Sequence, residues 1–344
     1  MTTQVDAVRT GSSLGHALRT FARARETGIL AALMLVILAT TAVNPTFLFS
    51  QDGFRDLLLT PSILVLVAIG QAIVIITRSV DLSVGSVVGL TAYLTGRLFI
   101  DVPGIPIVAV FLAGILLGAV LGLVNGALVA FGKVPALVIT LGTLYAYRGI
   151  NVLWAGSNRV NASDLPKDFL ALGTNSFLFI PYLTIIALIV VLAAGWYLRN
   201  QRGGRELYAI GSDPAAAQLY GLNVTRRILI AFVLCGALAG LAGVLFAARY
   251  GTTNSQTGTG LELQAVGAAV IGGVAIFGGS GTVYGAAIGA VLLLTINRAL
   301  PILGIQDFWQ QSVVGALIIG AVVLDRLLSL RLSRKLTSER EATS

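Results

Sequence analysis

Long apolar runs, separated by short polar segments, recur from about residue 28 almost to the end of the chain. Many of these runs approach the roughly 20 residues that an α-helix needs to cross a bilayer. The pattern therefore predicts an all-α polytopic membrane protein. We place about ten transmembrane helices, at residues 28–44, 57–77, 83–99, 105–130, 135–153, 179–198, 228–247, 263–278, 282–299 and 310–325.

The composition and the placement of charge support this prediction. Of the 344 residues, 56% are hydrophobic and 11% are charged, whereas soluble domains average about a quarter charged. The net charge of +8 would suit a nucleic-acid partner, but most basic residues fall in alternate segments between the spans. This positive-inside bias predicts that both termini lie in the cytoplasm, which requires an even number of spans. We therefore expect membrane lipid, and no nucleic acid, as a partner.

The predicted spans divide the chain into three parts. Residues 1–27 are predicted to form a cytoplasmic N-terminal tail, residues 28–330 the transmembrane domain, and residues 331–344 a cytoplasmic C-terminal tail. The largest cytoplasmic loop is predicted at residues 199–227, and it begins and ends with arginines.

Glycines recur every four residues in two predicted spans, where they allow two helix backbones to approach closely. Five spans separate the two stripes, so the two halves of the chain would have opposite orientations. This arrangement predicts two inverted five-helix repeats, which are typical of transporters, although glycine stripes also serve as ordinary packing devices. The stripe residues are Gly114, Gly118, Gly122 and Gly126 in the fourth span, and Gly281, Gly285 and Gly289 in the ninth.

A carboxylate interrupts the apolar sequence within TRSVDLSVGS, residues 77–86. Asp81 is expected to cap the following helix by accepting a backbone N–H two or three residues further on. Alternatively, it belongs to a polar break that re-enters the protein and lines a pathway. Ser83, together with Gln71 and Asn125 inside neighbouring spans, is a candidate for the same pathway, although hydrogen bonds between packed helices would explain these residues equally well.

The sequence offers no catalytic or metal-binding motif. GGSGT at residues 278–282 lacks the lysine of a phosphate-binding loop, and the chain has one cysteine and one histidine. We therefore expect no enzymatic activity, no cofactor and no metal site. Uphill transport would draw its energy from an ion gradient or from a separate ATPase.

The segment DPAAAQLYG, residues 213–221, predicts a short helix inside the largest loop. Asp213 is placed to cap it, Pro214 occupies its first position, and Gly221 ends it. A short helix between two basic flanks is suited to docking into a cleft on a partner, and a free solvated loop helix is the alternative.

Several motifs resemble the permeases of bacterial monosaccharide ABC importers, in the same order over most of residues 55–325. They are RSVDLSVGS at 78–86, GLVNG at 122–126, VPALVITLGT at 134–143, YAYRG at 145–149, YAIGSDPAAAQLYGL at 208–222, AAVIGGV at 268–274 and FGGSGT at 277–282. Two segments, residues 77–86 and QTGTGLEL at 256–263, are most similar to the permeases for rhamnose and for autoinducer-2. The classical ribose permeases tend to carry glycines where Arg78 and Ser79 stand.

The resemblance implies a multi-pass subunit of the bacterial inner membrane that translocates a monosaccharide or a sugar-like signal. Its implied partners are a cytoplasmic ABC ATPase, a periplasmic or lipoprotein sugar-binding protein, and a second permease subunit, identical or homologous. Asp81 would begin a helix that borders the central route near an aqueous edge. The segment implied to dock on the ATPase contributes Asp213, Pro214, Ala216, Ala217, Leu219, Tyr220 and Gly221.

An ion-coupled secondary sugar transporter is the alternative function. It would fit the inverted repeats, but it should place an ion-binding carboxylate in the middle of a span. Asp81 and Glu262 are predicted at span ends instead.

Overall fold

The structure is a computed structural model that describes residues 25–132, 134–306, and 309, 312, 313, 315, 316, 319, 320 and 323. The helices up to residue 302 are α1 (Arg25–Val43), α2 (Thr46–Phe49), α3 (Gln51–Leu59), α4 (Ser62–Ile76), α5 (Val84–Asp101), α6 (Ile107–Gly132), α7 (Ala136–Ala155), α8 (Lys167–Thr174), α9 (Tyr182–Asn200), α10 (Arg202–Ser212), α11 (Pro214–Leu219), α12 (Val224–Tyr250), α13 (Leu261–Ile271) and α14 (Val283–Ile302). A 3-10 turn spans Ala162–Asp164, and strands β1 (Ser176–Phe177) and β2 (Ile180–Pro181) form an antiparallel hairpin.

Six helical segments among the described residues are long and apolar enough to cross a membrane, and the prediction of a polytopic α-helical protein is confirmed. They are Gln51–Ile76, Ile107–Gly132, Ala136–Ala155, Tyr182–Asn200, Val224–Tyr250 and Val283–Ile302, and each coincides with a predicted span. Helices α1 and α5 occupy the first and third predicted spans. Most of the tenth span and both predicted tails, apart from residues 25–27, lie outside the described residues, so a total of ten spans stays a prediction.

The eighth predicted span, residues 263–278, is wrong in its second half. Helix α13 ends at Ile271, and an irregular glycine-rich segment continues to Thr282. Glycines in this segment adopt positive φ angles, including +84° at Gly273 and +126° at Gly281, which L side chains rarely adopt. The segment is as apolar as a helix but only partly buried: Gly272 and Val274 are buried, whereas Phe277 is 65% exposed. Hydropathy alone therefore does not distinguish such a segment from a helix.

Helix α4 forms the centre of the bundle. Each of its residues, from Ser62 to Ile76, is buried, as expected for a helix that is apolar on all sides. Helices α6, α7 and α9 lie at the periphery and expose large apolar side chains such as Leu116, Val138 and Leu192. An apolar exterior around a fully buried central helix is the arrangement that a lipid environment requires.

The first glycine stripe lies at a close helix contact, between α6 and α12. A Cβ atom on Gly118 would lie 2.2 Å from the carbonyl oxygen of Gly236, and a Cβ on Gly236 would lie 2.2 Å from the carbonyl oxygen of Gly118. Gly122 faces the carbonyl oxygen of Phe232 at 2.3 Å in the same way. Gly114 and Gly126 extend the contact at its two ends. The backbones therefore touch directly, and even a methyl group has no room between them.

The second stripe packs α14 against α13. A Cβ on Gly285 would lie 2.1 Å from the carbonyl oxygen of Gly272, and one on Gly289 would lie 2.1 Å from that of Ala268. Gly281 is not part of this helical stripe, because α14 begins at Val283. The two stripes thus contact different partner helices, and the predicted inverted repeat is not tested by these contacts.

Candidate functional site

A buried polar cluster lies at the turn that connects α4 to α5. The side chain of Asp81 is 1% exposed, and its Oδ1 accepts hydrogen bonds from the backbone N–H of Ser83 at 2.9 Å and from the Ser83 hydroxyl at 2.7 Å. The first of these bonds has the expected spacing, to an N–H two residues further on. However, Ser83 is itself the residue that precedes α5, so Asp81 closes the turn before the helix and does not cap the helix. The α4–α5 turn is held from α7 as well, because the Thr140 hydroxyl donates to the carbonyl oxygen of Val80 at 3.0 Å.

The other three pathway candidates join this cluster. The Asn125 amide of α6 donates to the Ser83 hydroxyl at 2.7 Å and faces both carboxyl oxygens of Asp81, at 3.3 and 3.4 Å. With its amide oriented to satisfy both partners, Gln71 donates to the Asp81 carbonyl oxygen at 3.1 Å and accepts from the Asp81 N–H at 3.2 Å. Gln71, Asp81, Ser83 and Asn125, which are up to 54 residues apart in the sequence, therefore form one network.

Tyr147 completes the network, and its part in it was not predicted from the sequence. Its hydroxyl lies 3.1 Å from Asn125 Oδ1 and 3.0 Å from the carbonyl oxygen of Leu121. Thr140, Tyr147 and Asn151 are all buried on α7, whose opposite face is apolar and exposed. Their spacings of seven and four residues place them on one helical face, and this spacing was the signal that could have identified them.

The implied position of Asp81 near an aqueous edge was wrong. The carboxyl group does not reach an aqueous edge within the described chain, since it is buried by α4, α6 and α7. It is tolerated because three donor groups from Ser83 and Asn125 satisfy its oxygens, and buried polar groups cost little only when they are hydrogen-bonded.

Asp81→Asn is expected to destabilise the protein because the new amide N–H would face the Asn125 amide N–H. A buried donor without an acceptor costs about 1–3 kcal/mol, so the melting temperature of the purified protein in detergent should fall. The double variant Asp81→Asn/Asn125→Asp exchanges donor and acceptor and should recover most of the loss in a double-mutant cycle. An Asp81→Asn protein with unchanged melting temperature and transport would show that the carboxyl group is dispensable.

The α4–α5 turn is joined to the loop helices α10 and α11 through Arg78. This residue has a φ of +64°, a conformation natural for glycine, and its side chain compensates by hydrogen bonding. Arg78 Nε donates to the carbonyl oxygen of Gly211 at 2.6 Å, and Nη2 donates to that of Ser212. Both acceptors lie at the end of α10, directly before α11. The turn that holds Asp81 is therefore tied to the loop helices by side-chain bonds.

The short helix α11 begins and ends as the sequence predicts. Asp213 accepts hydrogen bonds from the N–H groups of Ala215 and Ala216 at 2.9 and 3.0 Å, Pro214 opens the helix, and Gly221 follows it with a φ of +79°. Leu219 and Tyr220 are 89% and 88% exposed, and we call this pair the α11 tip.

Ala217 was expected to contact the ATPase, but it does not lie on the exposed side of α11. It is 5% exposed and faces the protein, and Ala216 is half-buried. On a short helix that packs along one side, only part of the circumference remains available to a partner, and here that part carries the α11 tip.

An ion pair anchors α10 to the start of α12. The Glu206 carboxylate accepts hydrogen bonds from Arg227 and, at 2.8 Å, from Arg202. The bond from Arg227 holds the pKa of the Glu206 carboxyl below its usual value, so the carboxylate stays charged and paired at neutral pH. Together with the Arg78 bonds, this pair fixes the middle and the end of α10 to the membrane helices.

A second polar cluster, not predicted from the sequence, lies where α7 meets the segment between α12 and α13. Arg148 Nη1 donates to the carbonyl oxygen of Thr257 at 2.6 Å, and the Asn151 amide donates to that of Ser255 at 3.3 Å. Three buried oxygens here have no hydrogen-bond partner in the described part of the chain: Asn151 Oδ1, Thr253 Oγ1 and Glu262 Oε2. Each of these oxygens is therefore a buried hydrogen-bonding group that the described residues leave unsatisfied.

Apolar helices around a buried polar network are typical of multi-pass membrane proteins. Residues 53–322 match the family described as branched-chain amino acid transport system / permease component. The chain belongs to this permease family, and it is a multi-pass protein of the bacterial inner membrane. The resemblance to importer permeases is thereby confirmed at the level of the family, which consists of transport subunits and not of enzymes.

Curated relatives match nearly the whole chain. It is similar to proteins named "Autoinducer 2 import system permease protein LsrC" from Enterobacter sp. (strain 638), at 36% identity over 317 residues, covering 92% of this chain and 91% of the relative. The LsrC proteins of Salmonella typhimurium (strain LT2) and Shigella flexneri are 37% identical over 318 residues, which cover 92% of this chain and 90% and 92% of theirs. No solved structure matches the chain.

Proposed function

We propose that the chain is the membrane-spanning permease of a binding-protein-dependent ABC importer that carries a monosaccharide or a sugar-like signal. Rhamnose and autoinducer-2 are the favoured cargoes, and the relatives are named for autoinducer-2 import. An ABC ATPase supplies the energy, a sugar-binding protein delivers the cargo from outside, and a second permease subunit, identical or homologous, completes the route.

The observation that carries this proposal is the α11 tip. Two adjacent large apolar side chains, exposed on a loop that leaves the membrane domain, favour a protein contact. The loop carries Arg199, Arg202, Arg205, Arg226 and Arg227, which favours the cytoplasmic side. A cytoplasmic ATPase is therefore the proposed partner of the tip.

The bonds of Arg78 give the α11 tip a physical connection to the membrane interior. Closure of the ATPase would displace α11, and the hydrogen bonds from Arg78 to Gly211 and Ser212 would carry this displacement to the α4–α5 turn. That turn holds Asp81 and, through it, Asn125 on α6. In this mechanism the buried network is the element whose rearrangement opens and closes the route.

The second polar cluster supports a hydroxylated cargo. The unpartnered oxygens of Asn151, Thr253 and Glu262 are hydrogen-bond acceptors, and sugar hydroxyl groups are donors. Arg148 lies beside them with its guanidinium directed at the backbone of residues 255–257. We assign these residues, and the network around Asp81, to the proposed route.

Reconstitution tests the proposed energy source and cargo together. The purified permease, its ATPase and its binding protein should together take up labelled autoinducer-2 or rhamnose into liposomes only when ATP is present. Omission of any one component should reduce uptake to background, and the preferred sugar should compete with the labelled one.

The alternative, an ion-coupled secondary transporter, is favoured by one observation, the burial of the Asp81 carboxyl group. In this case a proton or sodium gradient would drive uptake by the permease alone, without ATP. Gradient-driven uptake in the same liposomes would overturn the importer proposal.

A further inference from the structure

A basic cavity of about 460 Å³ lies where α9 ends, between α10 and the first turn of α14. Arg199 and Arg205 line it together with Tyr208 and Tyr284, and no carboxylate is among the lining residues. Both arginines are exposed, and neither forms an ion pair within the described part of the chain, where Glu206 is paired with Arg202 and Arg227. The cavity therefore presents two uncompensated positive charges to an anion.

An apolar groove adjoins this cavity and shares Tyr284 with it. The groove has a volume of about 290 Å³ and lies between α1, α3, α4, α9 and α14. Among its lining residues, Leu33, Leu58, Leu188 and Ile288 provide a surface without charge. Tyr284 can occupy the junction because Gly195 has no side chain: a Cβ there would lie 2.3 Å from the tyrosine hydroxyl oxygen. A charged compartment thus continues directly into an apolar one.

The position of the two compartments along α9 matches the layers of a bilayer. Trp196, 57% exposed, precedes Arg199 by one helical turn, and tryptophan is enriched at the level of the lipid headgroups. Leu188 and Leu192 are exposed two turns and one turn further into the apolar part of the same helix. The basic cavity therefore lies at headgroup level, and the groove lies at the depth of the acyl chains.

We propose that this pair of compartments binds one anionic phospholipid. The headgroup phosphate lies between the guanidinium groups of Arg199 and Arg205, and one acyl chain passes Tyr284 into the groove beside Leu188. Basic pockets between membrane helices bind anionic headgroups by charge attraction. A free phosphate would leave the groove unused, and a zwitterionic lipid would carry a second, positive charge into a basic cavity.

Thermal melting of the purified full-length permease in detergent tests the ligand class. Added dioleoyl-phosphatidylglycerol should raise the melting temperature by at least about 3 °C, since a ligand that binds only the folded state stabilises it. Dioleoyl-phosphatidylcholine, which has the same chains, and inorganic phosphate at equal concentration should not. An equal rise with phosphatidylcholine or with phosphate alone would overturn the proposal.

Matched variants test the location. Arg199→Gln/Arg205→Gln should abolish the shift caused by phosphatidylglycerol, whereas Arg202→Gln should keep it, because that arginine lies outside the cavity and pairs with Glu206. Leu188→Trp should fill the groove and abolish the shift, whereas Leu192→Trp, exposed one turn away and outside the groove, should keep it.

Two further outcomes have to be distinguished: loss of folding, and a role of the arginines in a protein contact. If the double arginine variant fails to fold, native mass spectrometry still tests the site. The wild type must retain bound phosphatidylglycerol, and Leu188→Trp must lose it. A double variant that keeps the lipid-dependent shift but no longer co-purifies with the ATPase would assign the two arginines to a protein contact and overturn the lipid site.

Discussion

Leu219→Arg is expected to lower ATP-driven uptake about tenfold or more while leaving the permease inserted in the membrane. Leu219 is 89% exposed at the α11 tip, so the substitution disturbs no internal packing. At the centre of an interface, however, a buried arginine would lack a partner and hold the ATPase away from the loop. A tenfold loss corresponds to about 1.4 kcal/mol, which is within the range of single interface residues. Uptake into liposomes and co-purification of the ATPase measure the effect.

A conservative variant provides the control for this prediction. Leu219→Met keeps an apolar side chain of similar volume and should retain uptake. Ala217→Arg is unsuitable as a test, because Ala217 is buried and the substitution would disrupt the loop itself. Normal uptake together with normal ATPase binding in Leu219→Arg would remove the α11 tip from the proposed coupling mechanism.

Gly118→Leu is expected to prevent stable folding of the helix bundle. A Cβ at this position already lies 2.2 Å from the Gly236 carbonyl oxygen and 2.8 Å from the Gly240 Cα. Both neighbours belong to a backbone, which cannot rotate away as a flexible side chain does. Overpacking of a well-packed interior costs about 1–3 kcal/mol and occasionally more, and separation of α6 from α12 would also disturb the contacts of Asn125. The yield of monodisperse protein and its melting temperature should both fall sharply, and Gly118→Ala should already show part of this loss.

Gly142→Leu is the matched control on α7. This glycine has no heavy atom within 4 Å of an added Cβ and lies on the exposed face of an apolar helix. The leucine should therefore be tolerated, with yield and melting temperature close to those of the wild type. Equal tolerance of leucine at Gly118 and Gly142 would show that α6 and α12 are not in backbone contact.

Hydropathy was reliable for the peripheral helices and unreliable for the irregular apolar segment after α13. The runs around α6, α7 and α9 predicted these helices to within a few residues, because a lipid-facing segment has to be both apolar and helical. The segment after Ile271 is equally apolar but irregular, since neighbouring protein covers part of its backbone and glycines permit its positive φ angles. For example, the Gly279 N–H donates to the carbonyl oxygen of Ile76 at 3.0 Å. Neighbouring helices determine whether an apolar segment is covered by protein in this way. The local sequence does not reveal it.

The sequence by itself determined that this protein is a multi-pass membrane permease, which polar side chains interrupt its apolar spans, and where α11 begins and ends. These properties follow from local rules: apolar length, caps and motif order. Only the tertiary structure decided that Gln71, Asp81, Ser83 and Asn125 meet Tyr147 in one network. It also decided that Ala217 faces inward and that Arg78 reaches α10. The physical reason is that hydrogen bonds and burial between distant segments depend on how the helices pack, and packing is a property of the whole bundle.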